Sequence, residues 1–134
     1  MSRSKVAPVG LVYDTGALIA ADRNDRRMWA VHARALARGL LPVVPAGCVM
    51  EAWRGDRQVS LNRLLAGCEV EPLDDRAARR AGALLAAATR AVGTVDPTVV
   101  DVALRRGAAV VTADRDDLTA LAHSVRGRLS IIDI

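Results

Sequence analysis

Lysine is almost missing from this chain: of 19 basic residues only Lys5 is a lysine, and phenylalanine is absent altogether. Aromatic residues are limited to Tyr13, Trp29 and Trp53 and the two histidines. A signalling receiver domain gathers acids at strand ends but also needs a lysine late in the chain, so that class is excluded. The scarcity of aromatics argues against an RNA-binding module that stacks bases on aromatic platforms. The two cysteines, Cys48 and Cys68, stand in no metal or redox spacing. They are expected as buried thiols of a cytoplasmic protein rather than as a disulfide pair. No apolar run approaches the roughly 20 residues that span a bilayer, so no membrane segment is expected. Arg3 and Lys5 precede an apolar stretch, but Asp14 interrupts it and no small-residue cleavage site follows, so no signal peptide is expected either. Repeats, low-complexity tracts and long linkers are all missing.

What is present is a globular composition. With 134 residues, 51% hydrophobic and 25% charged, residues 1–134 read as one domain with enough chain for a real core. The net charge is +4 and nearly all the positive charge is arginine, which grips phosphate through paired hydrogen bonds as lysine cannot. A G+C-rich genome would also produce an arginine- and alanine-rich chain.

Strand and helix patterns alternate along the sequence. Strands are predicted near 10–14, 41–44, 69–71, 109–112 and 128–132. Helices are predicted at 17–22, 25–38, from Pro45 through Arg54, at 59–65, 74–91, from Asp96 to Gly107 and at 116–123. Proline in a first turn, Asp at an N-cap and glycine past a helix end supply the punctuation. This alternation predicts an α/β fold with a central, mainly parallel sheet flanked by helices on both faces.

Four acids stand out on that frame. Asp14 closes the apolar run 9–13, Asp114 follows the run 108–112 after one residue, Glu51 lies in the mostly apolar stretch 46–53, and Asp96 opens a helix. A carboxylate at the edge of an apolar segment is costly to bury unless something compensates it. In a parallel sheet, ligands bind outside the carboxyl ends of the strands. Topology therefore supports Asp14 and Asp114 well and leaves Glu51 and Asp96 to be argued otherwise. Plainer readings exist for each: Asp14, Asp96, Asp114 and Asp116 all suit helix N-caps, Glu51 suits an exposed helix position, and Thr112 suits an ordinary strand end.

The segment L-V-Y-D-T-G-A-L-I-A at 11–20, V-M-E-A-W-R around Glu51, and D-P-T-V-V-D-V-A-L-R-R-G-A-A-V-V-T-A-D-R-D-D at 96–117 together resemble a PIN domain. Their order and spacing are similar to those of VapC-type toxins, the ribonuclease halves of toxin–antitoxin pairs. The resemblance spans essentially the whole chain. It implies a single PIN-like domain in which Asp14, Glu51, Asp96 and Asp114 hold Mg²⁺ or Mn²⁺. It makes Asp116 an additional acid and Thr112 a hydroxyl that orients the site. It also implies an RNA substrate, a homodimer, and a cognate antitoxin that blocks the site with a C-terminal peptide. The sequence departs from the common pattern at Asp101, where a small apolar residue is usual, and at Asp117, where an aromatic is frequent.

Those residue types suit the chemistry. Mg²⁺ prefers oxygen ligands, and two such ions about 3.5–4 Å apart can activate water and stabilise the leaving oxygen of a phosphodiester. No histidine base is needed, and His32 and His123, without partners at ligand spacing, are expected in surface or partly buried roles. A haloacid-dehalogenase-type phosphatase would need a second Asp two residues after the first, where this chain has Gly16. The remaining alternatives are a catalytically silent PIN-fold module that binds RNA or protein, and a housekeeping RNA-processing nuclease. Arg27, Arg34 and Arg38 fall on one face of their helix, with Trp29, Ala33 and Leu36 opposite as a core or dimer face. The arginine stripe suits RNA phosphates, an acidic partner or simple solvation.

Overall fold

A computed structural model describes residues 10–134. The signal-peptide question, which turns on Arg3 and Lys5, lies outside the described residues. In chain order the elements are β1 (Leu11–Tyr13), α1 (Thr15–Asp22), α2 (Arg26–Ala37), β2 (Val43–Pro45), α3 (Ala46–Ala52), α4 (Val59–Ala66) and β3 (Glu69–Glu71). They continue with α5 (Asp75–Ala87), α6 (Asp96–Arg106), β4 (Ala109–Thr112), α7 (Arg115–Ser124) and β5 (Ser130–Asp133). The five strands form one sheet in the order β3-β2-β1-β4-β5, and every pairing is parallel. This is the α/β architecture the alternation predicted. Among the described residues no helix is long and apolar enough to cross a membrane.

The chain lays strands outward from β1 to β3 and then returns to place β4 on the other side of β1. The order thus switches direction between β1 and β4, where the loops at the carboxyl ends separate. β1 and β4 are buried along their whole length, as central parallel strands covered on both faces must be. Leu18, Leu61, Leu64, Leu118 and Leu121 are completely or almost completely buried in the hydrophobic core. Each such side chain contributes about 1.5–3 kcal/mol of burial free energy.

Helix ends follow local chemistry. Asp14, Asp25 and Asp74 cap α1, α2 and α5 by accepting from the amides of Ala17, Met28 and Ala77 at 2.8–2.9 Å. α6 begins with Asp96 and Pro97 and stops at Gly107, whose φ of 63° is the left-handed conformation that glycine adopts at no steric cost. Several boundaries move from the predicted ones. α5 ends at Ala87 rather than Ala91, because Ala88 turns to extended backbone (φ −63°, ψ 136°) despite the alanine-rich sequence. Pro45 ends β2 and precedes α3 instead of sitting in its first turn, and α3 stops at Ala52, short of Arg54.

The buried face of α2 is Met28, His32 and Ala35, not Trp29, Ala33 and Leu36. Ala33 is exposed and Leu36 is 44% exposed, while Trp29 is half-buried with its ring N–H donating to the Ala21 carbonyl. His32 is accordingly a core residue, 4% exposed, rather than a surface or partly buried one. The Tyr13 hydroxyl lies 2.8 Å from its Nδ1, and Trp29 packs edge-on against its ring. Burial pushes the His32 pKa down. The neutral ring can then accept a hydrogen bond from the Tyr13 hydroxyl at Nδ1, which pairs these two polar atoms inside the core.

Asp101 faces neither solvent nor the acid-bearing edge. It is buried in α6, where Arg80 of α5 meets both carboxylate oxygens at 3.1 and 3.2 Å and Arg105 meets one at 3.1 Å. Arg105 and Arg106 reach on to Glu71 of β3 at 2.6 and 2.8 Å. The network ties α6 to α5 and to the sheet edge, which accounts for an acid where a small apolar residue is usual.

Candidate functional site

The hydrogen bond that starts α1 also fixes the first acid. Asp14 follows β1, is 7% exposed, and accepts from the Ala17 amide at 2.8 Å through Oδ1. The capping reading is therefore correct for Asp14, but its second oxygen is not used in that bond. Burial is the main cause of its raised pKa; hydrogen bonds from Thr112 and Ala17 oppose the rise, and the charge of Asp114 adds to it. Thr112 ends β4 fully buried, and its hydroxyl also accepts from the Asp114 amide at 2.8 Å. One buried hydroxyl thus connects the loops beyond β1 and β4.

Glu51 lies on the exposed side of α3, and the Thr15 hydroxyl donates to its Oε1 at 2.6 Å. Thr15 escaped the sequence reading of the site, although it stands beside Asp14 in the D-T-G turn. Asp96 is the first residue of α6, with Val95 at the cap position, so its carboxylate does no capping. Its pKa is raised to about 6, first by burial and then by the negative charges of Asp117, Asp114, Asp14 and Glu51. Asp114 is exposed and precedes α7 without a side-chain capping hydrogen bond; slight desolvation and the Asp117 charge raise its pKa as well. Beneath the group, the buried Cys48 thiol is pushed up to about 12 by burial, and the charges of Asp14, Glu51 and Asp96 contribute.

These mutual effects place Asp14, Glu51, Asp96 and Asp114 in one neighbourhood at the carboxyl ends of β1 and β4, on four separate segments. Asp116 is exposed in the first turn of α7 and lies at the rim. Asp117, noted in the sequence only as a departure, is the leading charged neighbour of both Asp96 and Asp114. Its missed signal was the D-R-D-D spacing itself, which puts Asp114 and Asp117 one helical turn apart.

No member of the four forms a salt bridge among the described residues; on the wider group Arg90 pairs with Asp117, while Arg115, which feels the Asp116 charge, pairs with Asp133. Gly16 and Gly93 lie beside the group: a Cβ on either would make ordinary contact, at 3.5 and 3.7 Å, with carboxylate oxygens of Asp14 and Asp96. Among the described residues no three His, Cys, Asp or Glu groups close to metal-ligating distance. The donor set nevertheless suits a hard divalent cation in its chemistry: it is all oxygen and short of compensating charge.

The arginine stripe does not join this group. Arg27, Arg34 and Arg38 are exposed, and Arg34 and Arg38 line a cleft with Leu11, Val31, Leu40 and Ile132. Leu11 starts β1 while Asp14 follows its end, so that cleft lies toward the opposite end of the sheet. Arg27 is nearer the carboxyl ends, where its charge adds to the hydrogen bond from Arg115 that chiefly lowers the pKa of Asp133.

A family model described as PIN domain matches residues 11–123. No curated protein matches the chain in sequence. Solved structures share its fold. VapBC2 from Rickettsia felis, bound to a DNA fragment from its promoter, has a TM-score of 0.69 at 13% identity, covering 92% of this chain and 97% of that one. A toxin–antitoxin complex from Klebsiella pneumoniae has a TM-score of 0.63 at 16% identity, covering 93% and 100%. FitAB bound to an IR36 DNA fragment has a TM-score of 0.58 at 16% identity, covering 92% and 94%.

Proposed function

The chain belongs to the PIN domain family, and on that premise we propose that it is a Mg²⁺- or Mn²⁺-dependent endoribonuclease, the toxin of a VapBC-type pair. The observation that carries this reading is the uncompensated carboxylate group at the β1/β4 switch point, with Asp96 raised to about 6. Acids that feel one another's charge without a salt-bridged cation among the four favour divalent metal as the missing charge. Asp14, Glu51, Asp96 and Asp114 would hold the metal, Asp116 would add a carboxylate at the rim, and Thr112 would orient Asp14 and the Asp114 loop. A bound divalent cation supplies Lewis-acid activation of water and stabilisation of the leaving oxygen. The protein's own part is to fix the carboxylates on four segments, to anchor Asp14 through the α1 cap and to steady Glu51 through Thr15. Arg27, Arg34 and Arg38 are assigned a weaker role, as contacts to RNA phosphates away from the reacting bond.

The complexes with the same fold support an antitoxin as partner. An antitoxin would inhibit most simply by placing a basic side chain among the carboxylates in place of metal. A homodimer belongs to the same reading.

The test is RNA cleavage with Asp14→Asn and Asp96→Asn. Both variants are expected to be inactive and folded, since Asn at position 14 can still cap α1. Chelator should silence the wild type, and Mg²⁺ or Mn²⁺ should restore it. Expression alone should arrest growth, and co-expression with the product of an adjacent small gene should relieve the arrest. Full activity in either variant or in excess chelator overturns the metal assignment. Cleavage without toxicity favours a housekeeping nuclease, and neither cleavage nor toxicity favours a silent binding module.

A further inference from the structure

The segment between α5 and α6 brings a cation to an otherwise acidic group. α5 stops at Ala87, residue 88 turns to extended backbone, and residues 88–95 run back to Asp96. Along this path Gly93 passes over the Asp96 carboxylate. Arg90 makes an ion pair through Nη2 with Oδ1 of Asp117, at the N-terminal turn of α7. The contact is single, so most of the five guanidinium N–H donors are uncommitted. The Arg90 side chain is 50% exposed, at the mouth of the group rather than beneath it.

Such a site has an electrostatic difficulty with its own substrate. Asp14, Glu51, Asp96, Asp114, Asp116 and Asp117 carry six negative charges when ionised, more than two divalent cations neutralise. A phosphodiester approaching that surface is repelled unless a fixed positive group faces it. Arg34 and Arg38 line a cleft with Leu11 and Leu40, toward the starts of the strands, Arg27 acts on Asp133, and Arg115 commits both Nε and Nη2 to Asp133. Among the described residues, Arg90 is the one cation paired with an acid of this neighbourhood.

We propose that Arg90 is a positioning residue that grips an RNA phosphate beside the carboxylate group, with Asp117 holding its guanidinium in place. This rests on the ribonuclease reading and deepens it. Asp117 aims the fork by one hydrogen bond, and the remaining edge receives phosphate oxygens in the paired geometry that suits arginine. Arg90 thereby offsets the repulsion of the acids where the strand enters.

The experiment measures binding of a short single-stranded oligoribonucleotide to Asp14→Asn protein in Mg²⁺, between about 50 and 200 mM salt. Adding Arg90→Gln should weaken binding by about tenfold, the scale of one charge-assisted hydrogen bond. It should also reduce the salt slope by about 0.7, the value for one phosphate contact on a single strand. Arg90→Lys should keep the slope while losing part of the affinity. An unchanged slope in Arg90→Gln, with binding otherwise intact, overturns the proposal. Asp117→Asn separates the alternatives further: if Arg90 only neutralised Asp117, the Arg90→Gln/Asp117→Asn protein would recover the slope, which also overturns it. An Arg90-dependent slope in a protein whose wild type cleaves no RNA supports the phosphate contact and removes the nuclease reading alone. Absence of RNA binding in every variant overturns both.

Discussion

Asp96→Asn should make the metal-free protein more stable, although it removes a group assigned to the reaction. The Asp96 carboxyl is held at about 6 against an ordinary 3.8. A raised native-state pKa means that the folded chain binds this proton more tightly than the unfolded chain does. The group's favourable contribution is therefore full below about pH 4, declines as the pH rises through 6, and is gone above it. The shift of roughly two pH units corresponds to an upper figure of about 3 kcal/mol, at about 1.4 kcal/mol per unit. Asp96 is only partly buried, and solvent screening reduces this to about 1–2 kcal/mol. The charged side chain also gains about 0.3–1 kcal/mol from the dipole at the first turn of α6, which Asn forfeits. The balance is a stabilisation of about 1 kcal/mol at pH 7.5 in chelator, or about 3–6 °C in Tm for a chain of this size. Near pH 4 the two proteins should melt together. Millimolar Mn²⁺ should narrow or reverse the difference, because metal that binds the native wild type stabilises it by mass action. Calorimetric melts at both pH values, with and without Mn²⁺, make the comparison. An Asn variant no more stable than wild type at pH 7.5 in chelator would refute the claim of uncompensated charge.

Two further outcomes follow from the same electrostatics and from the core. RNA cleavage should fall as the pH drops through about 6, because the Asp96 proton competes with metal; raising Mn²⁺ should move the midpoint to lower pH, and a rate flat from pH 5 to 8 would contradict this. Tyr13→Phe should cost about 1–2 kcal/mol in urea denaturation, since it leaves Nδ1 of the buried His32 without its partner. In the wild type, the lowered His32 pKa contributes stability above the ordinary 6.5 that is lost as the pH falls below it, and a stability profile level through pH 7 to 5 in Asp96→Asn protein would count against that account.

Strand positions and parallel pairing were legible because β1, β2 and β4 carry short apolar runs and each crossover its own helical pattern, whereas the strand order appears only in the folded chain. Asp14 was legible twice, as a cap and as an acid at a strand end, and it serves as the cap and lies in the acid group. Asp96 and Glu51 were not derivable from periodicity, since only tertiary folding brings the start of α6 and the exposed side of α3 to the β1/β4 switch. Sequence patterning also misjudged α2, where hydrophobicity favoured Trp29 and Leu36 over His32 as core residues. The deciding fact was the hydroxyl of Tyr13, which makes a buried imidazole affordable and lies nineteen residues away. Asp101 and Asp117 looked alike as departures from a family pattern. Their cations, Arg80 and Arg105 for one and Arg90 for the other, lie on different elements and could not be assigned from spacing.

Because β1 pairs with β4, Leu11 with Ala109 and Tyr13 with Val111, the middle of the sheet joins segments that lie far apart along the chain. Contacts so distant along the chain form slowly, since a long loop must close before they stabilise anything. At about 5–20 residues per second, a ribosome holds an unfinished chain for many seconds in which Asp14 has been made and Asp114 has not. The acidic neighbourhood has no existence during that interval. A chain able to cut RNA would then be harmless to the message and ribosome producing it, until synthesis has passed β4 and the acid that follows it.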